Sequence, residues 1–218
     1  MTTHDENAPR KRSRLFLLLL LLCIPGLILT GILLFVLKDY RMPSASNVPN
    51  LVIGDYFFAN RLAYVTADPQ RGDMTVFKKP NDPGVDHVKR VIGLPGDRIQ
   101  MKDGRLILNG TLVERVPEAL DTKLPDTDGL TFYRETLPGG RSYAIAEVSD
   151  NAGADNTPEY VVPEGAYFVL GDNRDNSQDS RFLDEVGYVP RGNFTGRYSF
   201  RFWNSTGVPL SGRPAEHG

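Results

Sequence analysis

A run of 23 uncharged residues, from Leu15 to Leu37, is the feature that most constrains how this chain can fold. As an α-helix the run would be about 34 Å long, enough to cross the roughly 30 Å hydrocarbon core of a bilayer. Pro25 and Gly26 in its middle predict a kink, which membrane helices tolerate. The sequence therefore predicts a single transmembrane helix over 15–37, after a basic N-terminal segment, 1–14.

Positive charge is concentrated before this run. Arg10-Lys11-Arg12 and Arg14 precede it, whereas only Lys38 and Arg41 follow it closely. The positive-inside rule then predicts a cytoplasmic N-terminus and an extracytoplasmic remainder. A cleaved signal peptide is the alternative, because small residues, Ser44-Ala45-Ser46, follow the apolar run. The apolar core of a signal peptide is shorter, about 7 to 15 residues, which favours a retained anchor.

The net charge and the cysteine content limit which functions and which covalent cross-links this chain can have. A net charge of -2 over 218 residues, with the other basic residues dispersed, argues against nucleic-acid binding. Cys23 is the only cysteine, so no intramolecular disulfide can form. An extracytoplasmic location remains allowed, since disulfides are common there but not required.

The chain after the anchor has the pattern of a mostly β protein. Short β-rich runs are separated by Gly, Pro and Asp, and none shows a sustained helical period. The predicted strands are Leu51–Ile53, Tyr56–Ala59, Met74–Phe77, His87–Ile92, Arg98–Met101, Arg105–Leu108, Thr131–Tyr133, Ser142–Ile145, Ala166–Leu170, Gly187–Pro190 and Gly196–Trp203. Asp103-Gly104 predicts a hairpin turn. We divide this part into a core, 38–102 and 163–204, with an inserted smaller β/loop domain, 103–162, and a flexible tail, 205–218.

A candidate nucleophile follows the anchor. Ser46 lies in a small, hydroxyl-rich turn between Pro43 and Pro49, and a serine needs a neighbouring base to take its proton. Among the histidines, only His87 lies in the body of the chain, since His4 and His217 are near the termini. Lys89 is the other candidate base, in a segment that ends in Leu94-Pro95-Gly96-Asp97. This favours a Ser-Lys pair, with His87 as the rival base.

Three blocks in order resemble bacterial type I signal peptidases, the membrane-anchored Ser-Lys proteases that remove secretory signal peptides. The blocks are Pro43-Ser44-Ala45-Ser46 with Pro49 and Gly54-Asp55, Lys89 to Asp97, and Gly171 to Ser177 continuing through Asp179-Ser180-Arg181. The resemblance implies a signal-peptidase-like β core, a location in the bacterial inner (plasma) membrane, and cleavage of exported preproteins after small residues at -3 and -1.

The resemblance also implies roles for single residues. Ser46 and Lys89 would be catalytic, the Ser46 N–H and Ser44 hydroxyl would stabilise the oxyanion, and Ser177 would orient the lysine amine. Asp179 and Arg181 would form a supporting ion pair, while Met42, Pro43, Asn47 and Val88 would border the substrate. The partners implied are signal peptides and the lipid bilayer, with no metal, cofactor or nucleic acid.

Each role has a plainer alternative. Lys89 can be a surface lysine, and it acts as a base only if apolar neighbours such as Val88, Val91 and Ile92 desolvate it. Ser44 can be a turn hydroxyl and Ser177 a loop serine bonded to backbone. The cluster of Asp172, Asp175 and Asp179 lacks the spacing of a calcium loop, so we expect no metal there.

The chain departs from the family pattern at two positions in the first block. Asn47 stands where Met is usual, and Asn50 where Thr is usual. Two other functions remain open. A self-cleaving repressor-type Ser-Lys protease shares the core fold but needs a DNA-binding domain, and a membrane-tethered β-domain could bind exported or unfolded partners without catalysis.

Overall fold

The computed structural model describes residues 16, 21, 23–28, 30, 31, 35–120, 124, 125 and 127–212. Two compact units divide the chain, Met1–Lys38 and Asp39–Gly218. The predicted basic segment 1–14 lies outside the described residues, and the predicted span 15–37 is described only in part. Residues 23–28 are helical. Among the described residues, no helix is long and apolar enough to cross a membrane.

Strands dominate the second unit, which confirms the mostly β prediction. In the described part of the chain the strands are β1 (Leu37–Arg41), β2 (Asp55–Asn60), β3 (Met74–Lys79), β4 (Asp82–Gly93), β5 (Arg98–Lys102), β6 (Arg105–Leu108), β7 (Thr111–Leu112), β8 (Glu114–Pro117), β9 (Thr131–Thr136), β10 (Ser142–Glu147), β11 (Tyr160–Val161), β12 (Ala166–Leu170), β13 (Val189–Pro190) and β14 (Phe194–Asn204). The described part of the chain also has 3₁₀ turns at Arg174–Asn176 and Arg191–Asn193.

A seven-stranded sheet forms the core, in the order β1-β2-β14-β3-β4-β12-β13. Phe77, Val91 and Val169, from the neighbouring strands β3, β4 and β12, are fully buried in one apolar cluster. β12 is a continuous apolar strand, buried at every residue. Buried strands of this kind set the positions of the loops that follow them, because their side chains allow only one register.

Two smaller sheets are built from the middle of the chain, β10-β9-β8 and β11-β5-β6-β7. The predicted hairpin is confirmed, since β5 and β6 pair with Lys102 opposite Arg105. Asp103 and Gly104 both have positive φ, as the tight turn between these strands requires. β5, which we assign to the core, pairs with strands of the predicted insertion, and the domain boundaries stay a prediction.

The strand predicted over Leu51–Ile53 is wrong, because these residues form turns. Leu51 N–H donates to the carbonyl of Asn47 at 2.9 Å, and Val52 N–H donates to Asp55 Oδ2 at 2.9 Å. Gly54 then takes φ +85°. Leu51 and Val52 are buried. The apolar pattern therefore indicates here that a turn is buried, and not that a strand is present.

The last residue of β14 and the residue after it are bonded to the same turn. Ser205 N–H donates to the carbonyl of Gly54 at 2.9 Å, and Asn204 Nδ2 donates to Asp55 Oδ1 at 2.8 Å. The start of the predicted flexible tail therefore has fixed partners. Residues 213–218 of that tail lie outside the described residues.

Candidate active site

The segment that carries Ser46 is a loop closed by backbone hydrogen bonds. Met42 N–H donates to the carbonyl of Asp55 at 2.8 Å, and Gly54 N–H donates to the carbonyl of Met42 at 2.9 Å. Within this loop Ser46 is 7% exposed. Its Oγ lies 3.2 Å from Ser44 Oγ, within hydrogen-bonding distance. Both hydroxyls therefore occupy one small region of the loop surface.

Lys89 is an interior residue of β4. It lies opposite Thr75 of β3, whose Oγ1 donates to the Lys89 carbonyl at 3.1 Å. The lysine is only 4% exposed. Burial lowers the pKa of Lys89 from its usual 10.5 to about 8, with Arg181 adding to the effect and the carboxylates of Asp179 and Asp172 opposing it. A lysine with this pKa is substantially neutral in weakly alkaline solution and can accept a proton.

One cleft of about 440 Å³ brings the candidate residues together. Ser46 and Lys89 both line it, and so does Ser44. The remaining lining residues come from the start of the Ser46 loop, from β1, from β4 and from the 171–181 loop: Tyr40, Arg41, Met42, Pro43, Val85, Asp86, His87, Val88, Asn176 and Gln178. Met42, Pro43 and Val88, which the resemblance assigns to the substrate, are among them.

Asn47 has a different location from its neighbours. It is fully buried and does not line the cleft. Its Nδ2 donates to the carbonyl of Val88 at 2.8 Å, which directs the carboxamide toward β4. This hydrogen bond is the physical reason why the side chain is unavailable to the cleft.

The loop after β12 holds the Ser46 loop from the other side. Asn173 N–H donates to the carbonyl of Ser46 at 3.1 Å, and Asn173 Nδ2 donates to the carbonyl of Ala45 at 3.2 Å. Gly171 lies directly beneath, so that a Cβ there would be 2.6 Å from the Ser46 carbonyl oxygen. Asn173 and Gly171 belong to the third sequence block, but sequence reasoning assigned neither of them a role.

Ser177 lies in the same loop, and no hydrogen bond joins its hydroxyl to Lys89 in the described part of the chain. Its Oγ is buried and has no hydrogen-bond partner within the part of the chain described. The orienting role therefore stays a prediction. An unpaired buried hydroxyl costs stability.

Asp179 and Arg181 form a buried ion pair, with Arg181 Nε 2.9 Å from Asp179 Oδ1 and Nη2 2.9 Å from Oδ2. Asp179 Oδ2 also accepts the Gly171 N–H at 3.1 Å. Burial raises the pKa of Asp179, but Arg181 and these hydrogen bonds outweigh burial and hold the pKa below its usual value. The pair thus fixes the loop that approaches Ser46.

A second buried ion pair, which sequence reasoning missed, lies next to Lys89. Arg90 donates from Nε to Asp172 Oδ1 at 2.8 Å and from Nη2 to Asp172 Oδ2 at 2.7 Å. The guanidinium also lies 4.0 Å from the centre of the Tyr143 ring. Arg90 and Asp172 each lie in one of the sequence blocks that carry the family resemblance. The sequence does not show that the two residues pair, because 82 positions separate them.

His87 also lines the cleft. Burial and the positive charges of Lys89 and Lys79 lower its pKa, with Asp82 and Asp86 opposing them. Its ring packs 5.9 Å from that of Phe77. A histidine so placed is neutral when the lysine titrates.

The described residues hold no group of three or more His, Cys, Asp or Glu side chains arranged for a metal ion. The acidic side chains of the third block are instead bonded to arginines and backbone N–H groups.

Comparison with known proteins adds an independent result. Residues 14–203 match the family described as signal peptidase, peptidase S26. The chain is 35% identical over 203 residues to a signal peptidase I of Rickettsia typhi, covering 80% of this chain and 75% of that protein. It is 36% identical over 192 residues to a signal peptidase I of Pseudomonas aeruginosa, covering 78% and 66%. A crystal structure of a signal peptidase I from Enterococcus faecalis has a TM-score of 0.36 and 28% identity, covering 61% of this chain and 98% of that one.

Proposed function

Because the chain belongs to the signal peptidase family, peptidase S26, and is a serine protease of that family, we propose that it removes signal peptides from exported preproteins with Ser46 as nucleophile and Lys89 as general base. The observation that carries this proposal is that Ser46 and Lys89 line one cleft and that the lysine pKa is about 8. A serine beside a neutral lysine is an activated nucleophile.

The chemistry proceeds by acyl transfer. Neutral Lys89 takes the proton of the Ser46 hydroxyl as Ser46 Oγ attacks the scissile carbonyl carbon. The protonated lysine then gives that proton to the leaving amine, and the signal peptide remains as an ester on Ser46. Lys89 next takes a proton from the water that attacks the ester carbonyl. The protonated lysine returns this proton to Ser46 Oγ as the ester C–O bond breaks, which releases the signal peptide with a free carboxyl group and restores the serine hydroxyl and the neutral lysine.

The negative charge that develops on the carbonyl oxygen needs hydrogen-bond donors. Ser44 Oγ, 3.2 Å from Ser46 Oγ, is one candidate, and the backbone N–H of Ser46 is the other. A preorganised donor of this kind is worth about 3 to 4 kcal/mol of transition-state stabilisation.

Substrate binding uses the apolar part of the cleft. Met42, Pro43 and Val88 line it and form shallow surfaces suited to small side chains at -3 and -1. The end of β1 and the middle of β4 line the cleft, so an extended peptide can bind by backbone hydrogen bonding, with little selectivity for sequence elsewhere.

Membrane attachment is part of the same proposal. The 23-residue uncharged run and the basic residues before it support a retained single-pass anchor with a cytoplasmic N-terminus. The catalytic unit would then act at the extracytoplasmic face, where signal peptides leave the bilayer.

The test is incubation of the detergent-solubilised full chain with a preprotein, followed by N-terminal sequencing of the product. We expect one cleavage after small residues at -3 and -1, and none with Ser46→Ala at equal folded amount. Unchanged cleavage by Ser46→Ala would overturn the assignment. If folded wild type binds the preprotein but leaves it intact, the non-catalytic binding domain becomes the better description.

A further inference from the structure

Two asparagines in the Ser46 loop are buried in a way that stability alone does not explain. Asn47 and Asn50 are 0% and 1% exposed. The Oδ1 atom of each is buried without a hydrogen-bond partner in the described part of the chain. An unpaired buried carboxamide oxygen costs stability, and an apolar side chain of the same size would avoid that cost. The amide groups therefore matter for what they donate.

Asn47 connects the nucleophile loop to the peptide bond that precedes Lys89. Its Nδ2 donates to the carbonyl of Val88 at 2.8 Å, across 41 positions of sequence. The next carbonyl along β4, that of Lys89, accepts the Thr75 hydroxyl at 3.1 Å. The backbone is thus held by a side-chain donor on both sides of the Lys89 Cα atom.

Asn50 connects the same loop to the residue after Lys89. Its Nδ2 donates to Asp172 Oδ2 at 2.7 Å and to the carbonyl of Ala144 at 2.7 Å. Asp172 in turn pairs with Arg90 through two hydrogen bonds. The connection from Asn50 through Asp172 to Arg90 is fully buried, and solvent does not weaken it.

The two connections reach β4 at the residues on either side of Lys89 in sequence. Asn47 reaches position 88 and Asn50 reaches position 90, while Ser46 precedes them in the same turn. Reacting groups must be held to within a fraction of an ångström, because misplacement by about 1 Å can reduce a rate by about a hundredfold.

We propose that Asn47 and Asn50 are positioning residues that hold Ser46 in register with Lys89. This inference rests on the proposed function for its kinetic consequences but not for its structural ones. Neither asparagine lines the cleft, and each acts through β4.

The kinetic test compares Asn47→Leu and Asn50→Ala with wild type in the full detergent-solubilised chain. Each variant loses one positioning contact, so we expect kcat to fall about tenfold while KM stays within about twofold. The acid limb of the pH profile should not move, since neither substitution changes the charges around Lys89. Asn50→Thr, whose hydroxyl can still donate to Asp172, should retain more activity than Asn50→Ala.

Asn193→Ala is the matched control. Asn193 Nδ2 also donates to a strand carbonyl, that of Lys78, at 2.9 Å, but its residue lies outside the Ser46 loop and the cleft. We expect its kcat to equal that of wild type. A kcat unchanged in Asn47→Leu, or lowered equally in Asn193→Ala, would overturn the proposal.

Hydrogen–deuterium exchange provides a measurement that needs no turnover. Asn47→Leu should speed exchange in both segments that its hydrogen bond joins, 44–55 and 86–92, while Asn193→Ala should leave both unchanged. Unaltered exchange in Asn47→Leu would reject the positioning role even if the enzyme cleaves preprotein. A wild type that cleaves nothing, with the expected exchange pattern, would reject the proposed function and keep the positioning contact.

Discussion

Asn173 donates its backbone N–H to the carbonyl oxygen of Ser46, 3.1 Å away, although 127 positions separate the two residues in sequence. The bond places the loop that follows β12 directly against the nucleophile. With Lys89 entering from β4, three distant segments meet at one serine.

The pKa of Lys89 predicts the pH dependence of catalysis. At about 8, the lysine is mainly protonated at neutral pH, and only its neutral form is active. The acid limb of kcat/KM should therefore have its midpoint near pH 8 and fall about tenfold per pH unit below it.

Lys89→Arg should abolish turnover because a guanidinium stays protonated. Arginine-substituted enzyme with near-normal cleavage would remove Lys89 from the mechanism.

Replacement of His87 distinguishes the rival base. The pKa of His87 is lowered, so the ring is already neutral at pH 8. His87→Gln should leave the acid limb where it is in the wild type, as measured by kcat/KM from pH 5 to pH 10. If the limb disappears in this variant while a Lys89 substitution only slows the reaction, the histidine is the base.

Lys89→Met should make the folded protein more stable at neutral pH. The depression of the lysine pKa from 10.5 to about 8 corresponds to about 3 kcal/mol. Below pH 8 the folded and unfolded states both carry the charge, and burial costs this full amount. Between pH 8 and 10.5 the unfolded state binds more protons, so wild-type stability rises with pH.

Denaturant unfolding of both proteins at pH 7 and at pH 11 measures this effect. We expect the advantage of Lys89→Met, up to about 3 kcal/mol at pH 7, to vanish at pH 11. An advantage of equal size at both pH values would mean that packing, and not charge burial, is responsible.

Gly171→Ala should inactivate the enzyme through steric contact. An added Cβ would lie 2.6 Å from the Ser46 carbonyl oxygen and 2.5 Å from the Ser177 Cβ, so the two loops must separate. Overpacking of this kind costs about 1 to 3 kcal/mol of stability, and the displaced serine should lose at least about a hundredfold in kcat/KM.

Gly192→Ala is the control for this substitution, because nothing lies within 4 Å of a Cβ at that position. It should match wild type in activity and in unfolding midpoint. Normal turnover by Gly171→Ala would show that the two loops tolerate separation.

The charge asymmetry around the apolar run predicts membrane topology. With the N-terminus in the cytoplasm, protease added to intact spheroplasts should digest the catalytic unit. A tag on the N-terminus should survive until the membrane is permeabilised. Digestion of the tag before the catalytic unit would reverse the orientation.

Local sequence determined where most strands lie. β12, predicted as Ala166–Leu170, has those same bounds, because five consecutive apolar residues have few alternatives to a buried strand. Asp103-Gly104 likewise specified its turn, since few residue pairs accept two positive φ angles. The order of the three blocks was also sufficient to indicate the family. Leu51–Ile53 shows the limit, because an apolar pattern does not distinguish a buried turn from a buried strand.

The tertiary structure decided how deeply the side chains of the site are buried and which partners they contact. Nothing near Lys89 in sequence reveals that it is 4% exposed, because its burial depends on strands that pair with β4 from distant positions. Asn47 next to the nucleophile was expected at the substrate, but the Val88 carbonyl, 41 positions away, takes its amide. Propensities and motifs act over a few residues. Desolvation, ion pairing and hydrogen bonding in this site act between residues that only the folded chain brings together.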